Sequence, residues 1–290
     1  LTLFKSAIDK DPNYAEAHSA MATAYGELGT AGWLPYSEAF TNQRNEALKA
    51  IEIDDALAEG HVELANALLD QKWDWAGAQK ELTRAIELSP NSAFAHRSYS
   101  LLLCRAGKLP QALAEANLDM KLDPVSRLSL MNIAAINYYG RQYDQALAFL
   151  QTLQSADPNP SGFGLGFFFG TVYVEKDLYR QAIPEFERLG DKPHALGHLG
   201  NAYARSGRLA EAREIIPKLL DHVAREGIGR YEIALVYAGL GEKDEAFAWL
   251  EKAYDAHDKG MTYLKIDPCL DPLRSDYRFQ DLLQRMRFPS

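Results

Sequence analysis

The sequence predicts an all-α fold: an α-solenoid of antiparallel helix pairs, closed by a C-terminal capping helix. Three observations carry that prediction. The stretch GHLGNAYARSGRLAEA (197–212) returns as the looser YEIALVYAGLGEKDEA (231–246), with Tyr203 and Tyr237, Gly207 and Gly241, and Ala212 and Ala246 each 34 residues apart. Small and large apolar residues recur in the same phase over most of the 290 residues. Glycine falls where a first helix must end in a left-handed turn, and proline or aspartate falls where the second must stop. A fixed step of about 20–50 residues marks units that cannot bury their apolar face alone and therefore stack.

The elements follow in order. Residues 1–14 supply a trailing half copy, with Phe4, Ala7 and Pro12 in phase. Residues 15–57 hold a copy with His18, Met21, Ala22, Tyr25 and Gly29, interrupted by TAGWLPYSEAF (30–40), where proline and glycine read as an ordered loop with Trp33 and Tyr36 packed on the adjacent helix pair. Residues 58–92 bring His61, Leu64, Ala65, Leu68, Ala78, Leu82, Ala85 and Pro90. Residues 93–126 bring His96, Tyr99, Ser100, Leu103, Gly107, Ala112, Ala116 and Pro124. Residues 127–162 carry Leu130, Ile133, Ala134, Ala146, Leu150 and Pro158, and residues 163–192 carry Phe169, Gly170, Tyr173, Ala182 and Phe186. Residues 193–226 carry Leu199, Gly200, Tyr203, Gly207 and Ala212. Residues 227–257 end the series with Ile233, Ala234, Tyr237, Gly241, Ala246, Leu250 and Ala253. Residues 258–290 read as a turn-rich link and a capping helix with Phe279, Leu282, Leu283 and Met286 on one side.

Together these residues resemble the tetratricopeptide repeat family over about residues 1–257, as seven complete copies and a leading half. The resemblance implies one continuous right-handed superhelix whose concave face is a peptide-binding groove. Within each copy, small residues let the helices approach closely while the tyrosine and the large apolar residue fill the space beside them. Gly200→Leu is accordingly expected to overpack that contact and cost about 1–3 kcal/mol. The ending DPLRSDYRFQDLLQRM also resembles the tails of bacterial multidomain regulators and kinases that carry such repeats. Because the chain opens in mid-copy, an upstream segment is expected to continue the stack.

Composition narrows the function. The formal charge is −9, from 31 Lys and Arg against 40 Asp and Glu, with no basic block. Nucleic-acid binding, which needs concentrated positive charge, is not expected of this segment. No apolar run approaches the roughly 18 residues of a membrane helix. The two cysteines, Cys104 and Cys269, form no metal or disulfide motif, which points to a reducing cytoplasm.

The chemistry-bearing residues point away from catalysis. GFGLG (162–166) has no preceding strand, and its third glycine is not at the place a dinucleotide loop requires. His18, His61 and His96 recur at one position of successive copies. Neighbouring helices stand about 8–10 Å apart, so the three rings cannot share an ion and are expected to pack. His194 and His198 stand four apart in HALGH, a chelating spacing, but bring no intervening glutamate and no evident third ligand. They are the metal candidates of the sequence, with a solvated helix face as the expected environment. No hydrolase, kinase or P-loop signature is present, so no enzyme, no cofactor and no metal are expected.

With about 100° between residues, the positions opposite those packed on helix B cluster on one side of helix A. In the first two copies they read Glu16, Ser19, Thr23, Glu27, Glu59, Glu63, Asn66 and Asp70, an acidic stretch. Further on come Arg97, Leu101, Arg105, Asn132, Tyr138, Tyr139, Phe167, Phe168, His198, Asn201 and Arg205. Arg97, Arg105, Asn132, Tyr138, Tyr139, Phe167, Phe168, Asn201 and Arg205 form the expected partner-binding groove, since arginine and tyrosine are enriched at hot spots and amides can hold a peptide backbone. The alternative is that the aromatics pack between A helices and the arginines pair with nearby acids. The resemblance also offers a chaperone-tail clamp, but at its five positions stand Arg97, Leu101, Asn132, Gly164 and Phe168, of which only Arg97 and Asn132 suit it. A non-catalytic scaffold binding a protein or peptide, part of a larger bacterial regulator, is the leading expectation. Self-association through the N-terminal edge or the loop at Trp33 is the alternative.

Overall fold

A computed structural model describes residues 1–30, 33–156 and 163–289. Among the described residues all regular structure is helical. The chain forms two compact units, Leu1–Pro124 and Val125–Phe288, and each is described by itself.

The first unit contains α1 (Thr2–Lys10), α2 (Ala15–Thr30), α3 (Tyr36–Ile53), α4 (Ala58–Lys72), α5 (Trp75–Leu88), α6 (Ala93–Arg105) and α7 (Leu109–Leu122). Helices α2 and α3, α4 and α5, and α6 and α7 pair closely. The seams are alanines and a serine with almost no exposed surface: Ala22, Ala47, Ala65, Ala78, Ser100 and Ala112. Asp74 and Ser92 start α5 and α6 by accepting hydrogen bonds from the Gly77 and Ala95 amides, as N-caps do. Gly107 follows α6 at φ +78°, the left-handed turn expected of it. Gly29 departs from expectation. It lies inside α2, where a Cβ would stand 2.6 Å from Ala39 Cβ, so its bare backbone serves helix contact and not a turn.

The interrupting loop is also shorter than expected. Helix α2 runs to Thr30 and α3 begins at Tyr36, so Tyr36–Phe40 belongs to a helix; Ala31 and Gly32 lie outside the described residues. Tyr36 does pack as expected: its ring lies tilted 4.4 Å from that of Phe40, and it donates its hydroxyl to the Asp70 carbonyl of α4 at 2.7 Å. Trp33 does not pack, being 78% exposed.

The three recurring histidines are buried, and each does more than fill space. Nδ1 of His18, His61 and His96 meets Glu46, Glu81 and Glu115 at 2.6, 2.7 and 2.6 Å. Nε2 faces the carbonyls of Pro12, Asp55 and Pro90, each six residues upstream. One polar bridge, glutamate to ring to preceding turn, is thus repeated three times.

The second unit contains α8 (Arg127–Tyr139), α9 (Tyr143–Ala156), α10 (Phe163–Glu175), α11 (Tyr179–Glu187), α12 (Pro193–Arg205), α13 (Leu209–Glu226), α14 (Arg230–Leu240), α15 (Lys243–Asp255) and α16 (Tyr277–Arg285). Pro158 and Gly162 lie outside the described residues, but Gly164, Gly166 and Gly170 all stand within helix α10. The core gathers Phe186, Leu196, Ala212, Leu219, Ile233 and Val236. Gly200 allows α12 to meet α14: a Cβ there would lie 2.5 Å from Val236 Cγ2.

Helix α16 covers α15 as a cap should. Arg278 bonds Asp244 at 2.8 Å, Arg285 takes both carboxylate oxygens of Glu251 at 2.9 and 2.8 Å, and Phe279, Leu282 and Met286 are buried. The link before it is not a loose connection. Lys259–Tyr263 and Pro268–Leu273 form two 3₁₀ turns, and Met261, Leu264, Ile266, Pro268, Cys269, Leu270 and Leu273 are all buried. Aspartate starts each piece: Asp258, Asp267 and Asp276 accept from the amides of Gly260, Cys269 and Arg278 at 3.0, 2.9 and 3.0 Å.

Candidate functional site

In the second unit the inner face of the A helices is where the sequence places a groove, and there the chain's own C-terminal strap, Lys259 to Leu273, lies. Tyr139, at the end of α8, sets its ring 5.4 Å from that of Tyr263. Arg141, in the turn after α8, donates to the Ile266 carbonyl at 2.7 Å and to Asp271 at 2.6 Å. Tyr231, in the first turn of α14, donates its hydroxyl to Asp267 Oδ2 at 2.9 Å. Gly260 passes so close to Tyr231 that a Cβ would come within 2.3 Å of its ring. The strap therefore holds the groove in cis.

The expected groove residues divide between the two units. Arg97 and Arg105 belong to the first, and each is turned to a carboxylate of its own unit. Arg105 Nη1 donates to Asp70 Oδ1 at 2.8 Å with both side chains buried, and Arg97 Nη1 stands 3.6 Å from the buried Asp119. The others lie in the second unit, where burial takes five of them out of an open lining and leaves Phe168 and Arg205 partly exposed. Asn132, Tyr138, Tyr139, Phe167 and Asn201 are buried. Asn201 donates to the Leu235 carbonyl at 2.8 Å, holding α14 in place of a peptide backbone. Tyr138 packs edge-on against Tyr139 and Phe168, and Arg205 is bonded to Glu175. The physical reason is that aromatic and amide side chains on adjacent A helices reach each other and the strap before they reach solvent.

His194 and His198 are not on a solvated face. His198 is 5% exposed, His194 is half-buried, and both rings pack on Phe167, at 4.5 and 4.8 Å between centroids. His198 Nδ1 contacts the His194 carbonyl at 3.0 Å; since a carbonyl only accepts, that nitrogen carries the hydrogen. The strap brings two further donors to His198, and His194 is not among the group. One ligand atom each from His198, Asp267 and Cys269 lies within 4.8 Å of the others, and all three residues are buried.

Burial governs the electrostatics here. It lowers His198 to about 4, with the neighbouring His194 acting in the same direction. It also pushes the Cys269 thiol and the Tyr138 and Tyr231 phenols well above their ordinary values, and Asp267 adds to each. The imidazole is neutral and the phenols hold their protons across the physiological range. Burial works against the Arg205 cation, and the adjacent Glu175 carboxylate more than offsets it.

The residues missed in sequence are Arg141, Tyr231, Asp267 and Cys269. Tyr231 occupies the inner-face position of the last copy that His61's neighbours occupy earlier in the chain, so extending the inner-face reading to that copy would have named it. Asp267 and Cys269 gave a fainter signal: the unusual density of apolar residues in MTYLKIDPCLDPL, a segment read as a link.

Residues 128–160 and 199–260 each match a model described as tetratricopeptide repeat. These two stretches carry tetratricopeptide repeats. The repeats show the same fold as a tetratricopeptide repeat protein from Parabacteroides merdae, at TM-score 0.55 with 11% identity over 93% of this chain and 98% of that one. The APC/C Cut9–Hcn1 assembly gives TM-score 0.63 with 14% identity, covering 99% of this chain and 52% of that one. Among curated proteins, the transcriptional regulator HilA of Salmonella typhimurium is 26% identical over 189 residues, which is 64% of this chain and 34% of HilA. The Hsp70-Hsp90 organizing protein 1 of Glycine max is 28% identical over 122 residues, 41% of this chain and 21% of that protein. The chain thus spans about a third or less of the length of these relatives. No helix among the described residues is long and apolar enough to cross a membrane.

Proposed function

We propose that this tetratricopeptide repeat chain is a non-catalytic protein-interaction scaffold, part of a larger bacterial regulatory protein, and that it meets its partner through the A helices of the first unit. The observation that carries the reading is the strap: it occupies the inner face of the second unit, so the inner positions of α2, α4 and α6 are the ones left to a partner. There Glu16, Glu27 and Glu59 are exposed, while Thr23, Asn66, Arg97 and Leu101 are partly so. Arg97 and Arg105 are already matched by Asp119 and Asp70, so the accessible charge is negative. Such a face favours an extended segment bearing lysine or arginine. The regulatory setting draws support from the likeness to HilA, a transcriptional regulator by name, and the scaffold role from the likeness to an Hsp70-Hsp90 organizing protein.

The test is capture of native partners by the wild-type chain and by a Glu16→Lys, Glu27→Lys, Glu59→Lys variant that keeps its helicity. Loss of the specific partners with the variant is expected, and unchanged capture overturns the assignment. Self-association is a second reading with its own support: α1 buries none of its residues, Leu3 is 84% exposed, and Trp33 stands in solvent. Light scattering over a concentration series separates the two, since the scaffold reading expects a constant monomer mass.

A further inference from the structure

The donor set that joins α12 to the strap is more than a packing contact. We propose that His198, Asp267 and Cys269 form a binding site for a zinc-class divalent metal ion. Three different ligand types, nitrogen, oxygen and sulfur, converge from two separate segments, with ligand atoms within 4.8 Å of one another. They are 5%, 3% and 4% exposed. Three protein donors including a thiolate and an imidazole suit a tetrahedral, borderline-soft ion, with Zn–S near 2.3 Å and Zn–N near 2.0–2.1 Å.

The surroundings of each donor have the form that metal sites require. The N–H of His198 is spent on the His194 carbonyl, which leaves the lone pair on Nε2. Asp267 is oriented twice, by the Tyr231 hydroxyl at 2.9 Å on Oδ2 and by the Cys269 amide at 2.9 Å on Oδ1. A second observation points to a ligand independently. The hydroxyl of Tyr138 is buried and has no hydrogen-bond partner among the described residues. Burial raises this phenol most, and Cys269 and Asp267 add to the shift. A buried phenol without a partner leaves a polar atom that a bound water or a further ligand would satisfy. Cysteine, histidine and aspartate also make a nucleophilic triad elsewhere, but three donors this deeply buried have no route to a substrate.

Binding forms metal–sulfur, metal–nitrogen and metal–oxygen bonds and releases the Cys269 thiol proton to solvent; no electron moves. The ion would fasten the strap to α12, beyond any role of the first unit in meeting a partner.

The experiment is a Co²⁺ titration of the reduced full chain, followed by absorption. One equivalent is expected to give thiolate-to-cobalt charge transfer and the ligand-field bands of a four-coordinate ion, both abolished by one equivalent of Zn²⁺. Cys269→Ser should remove the charge-transfer band, Cys104→Ser should leave it, and Tyr231→Phe should weaken binding about 10–100-fold. X-ray absorption at the zinc edge of the wild-type chain needs no variant and should show one sulfur at about 2.3 Å. No charge-transfer band with Co²⁺, a band that survives Cys269→Ser, or a zinc shell of nitrogen and oxygen alone overturns the site.

Discussion

Replacing Gly200 by alanine sets two effects against each other, and the structure decides between them. Alanine is the better helix former by about 0.8–1.0 kcal/mol, so an alanine without steric conflict would stabilise α12. At Gly200 there is conflict. The added methyl would lie 2.5 and 3.2 Å from the two methyls of Val236 and 3.4 Å from Ile215 Cβ. Valine in a helix has one strongly preferred rotamer, so Val236 cannot swing aside cheaply, and α12 and α14 must separate. Overpacking of that kind costs about 1–3 kcal/mol, which leaves a net loss of up to about 2 kcal/mol. Gly166 in α10 is the control, because its added methyl would meet nothing closer than Glu185 Oε2 at 3.4 Å. Gly166→Ala should therefore gain about 0.5–1 kcal/mol. Thermal unfolding followed by circular dichroism reads both, at about 2–4 °C per kcal/mol for a unit of this size. A Gly200→Ala chain that melts at or above Gly166→Ala refutes the close approach of α12 and α14.

Other perturbations reach different parts of the molecule. Glu63 is buried, accepting from Thr23 and Gln43 at 2.7 Å each, and burial raises its carboxyl above the ordinary value, with Glu27 adding to the shift. A raised carboxyl gives stability that is full below its unfolded value near 4.5 and is lost as pH climbs through the folded value. Glu63→Gln should thus raise the melting temperature at neutral pH and flatten its fall between acid and neutral conditions, as a pH series of melts would record. Arg105→Ala strands the buried Asp70 carboxylate and should cost about 3–5 kcal/mol in urea unfolding, so weaker partner binding by that variant would report lost fold before lost recognition. Tyr231→Phe removes a buried hydrogen bond to a carboxylate and should cost about 1.5–3 kcal/mol, measured in the same way without metal. Arg141→Ala, which loses Ile266 and Asp271, should speed amide exchange within Lys259–Leu273 while leaving α9 unchanged.

How far the sequence carried differs from element to element. The helix pairs were legible because their determinants are local: Gly107, Gly207 and Gly241 end helices at positive φ, and Ala65, Ala112 and Ala146 fall at fixed phase in the seams. Gly29 shows the limit of that reading, since the same residue type answers either a turn or a close approach, and only Ala39 across the seam tells which. Tyr139 and His198 do lie beside strap residues, but whether an inner face stood open was not legible. Its occupant comes from far along the chain, Asp267 to Tyr231 and Ile266 to Arg141, and 3₁₀ turns carry no periodic apolar signature. His194 and His198 stood out by spacing alone. That Asp267 and Cys269 join His198, and not His194, could be found only in three dimensions.

The strap also bears on how shortened versions of this protein behave. Cutting the chain after α15 would strip Tyr139, Tyr231 and His198 of their native cover and bare a greasy, aromatic surface that the intact molecule never presents. Anything caught at that surface would be standing in for the missing tail, and a screen would rank such ligands by their mimicry of Ile266, Pro268 and Leu270 rather than by physiological choice.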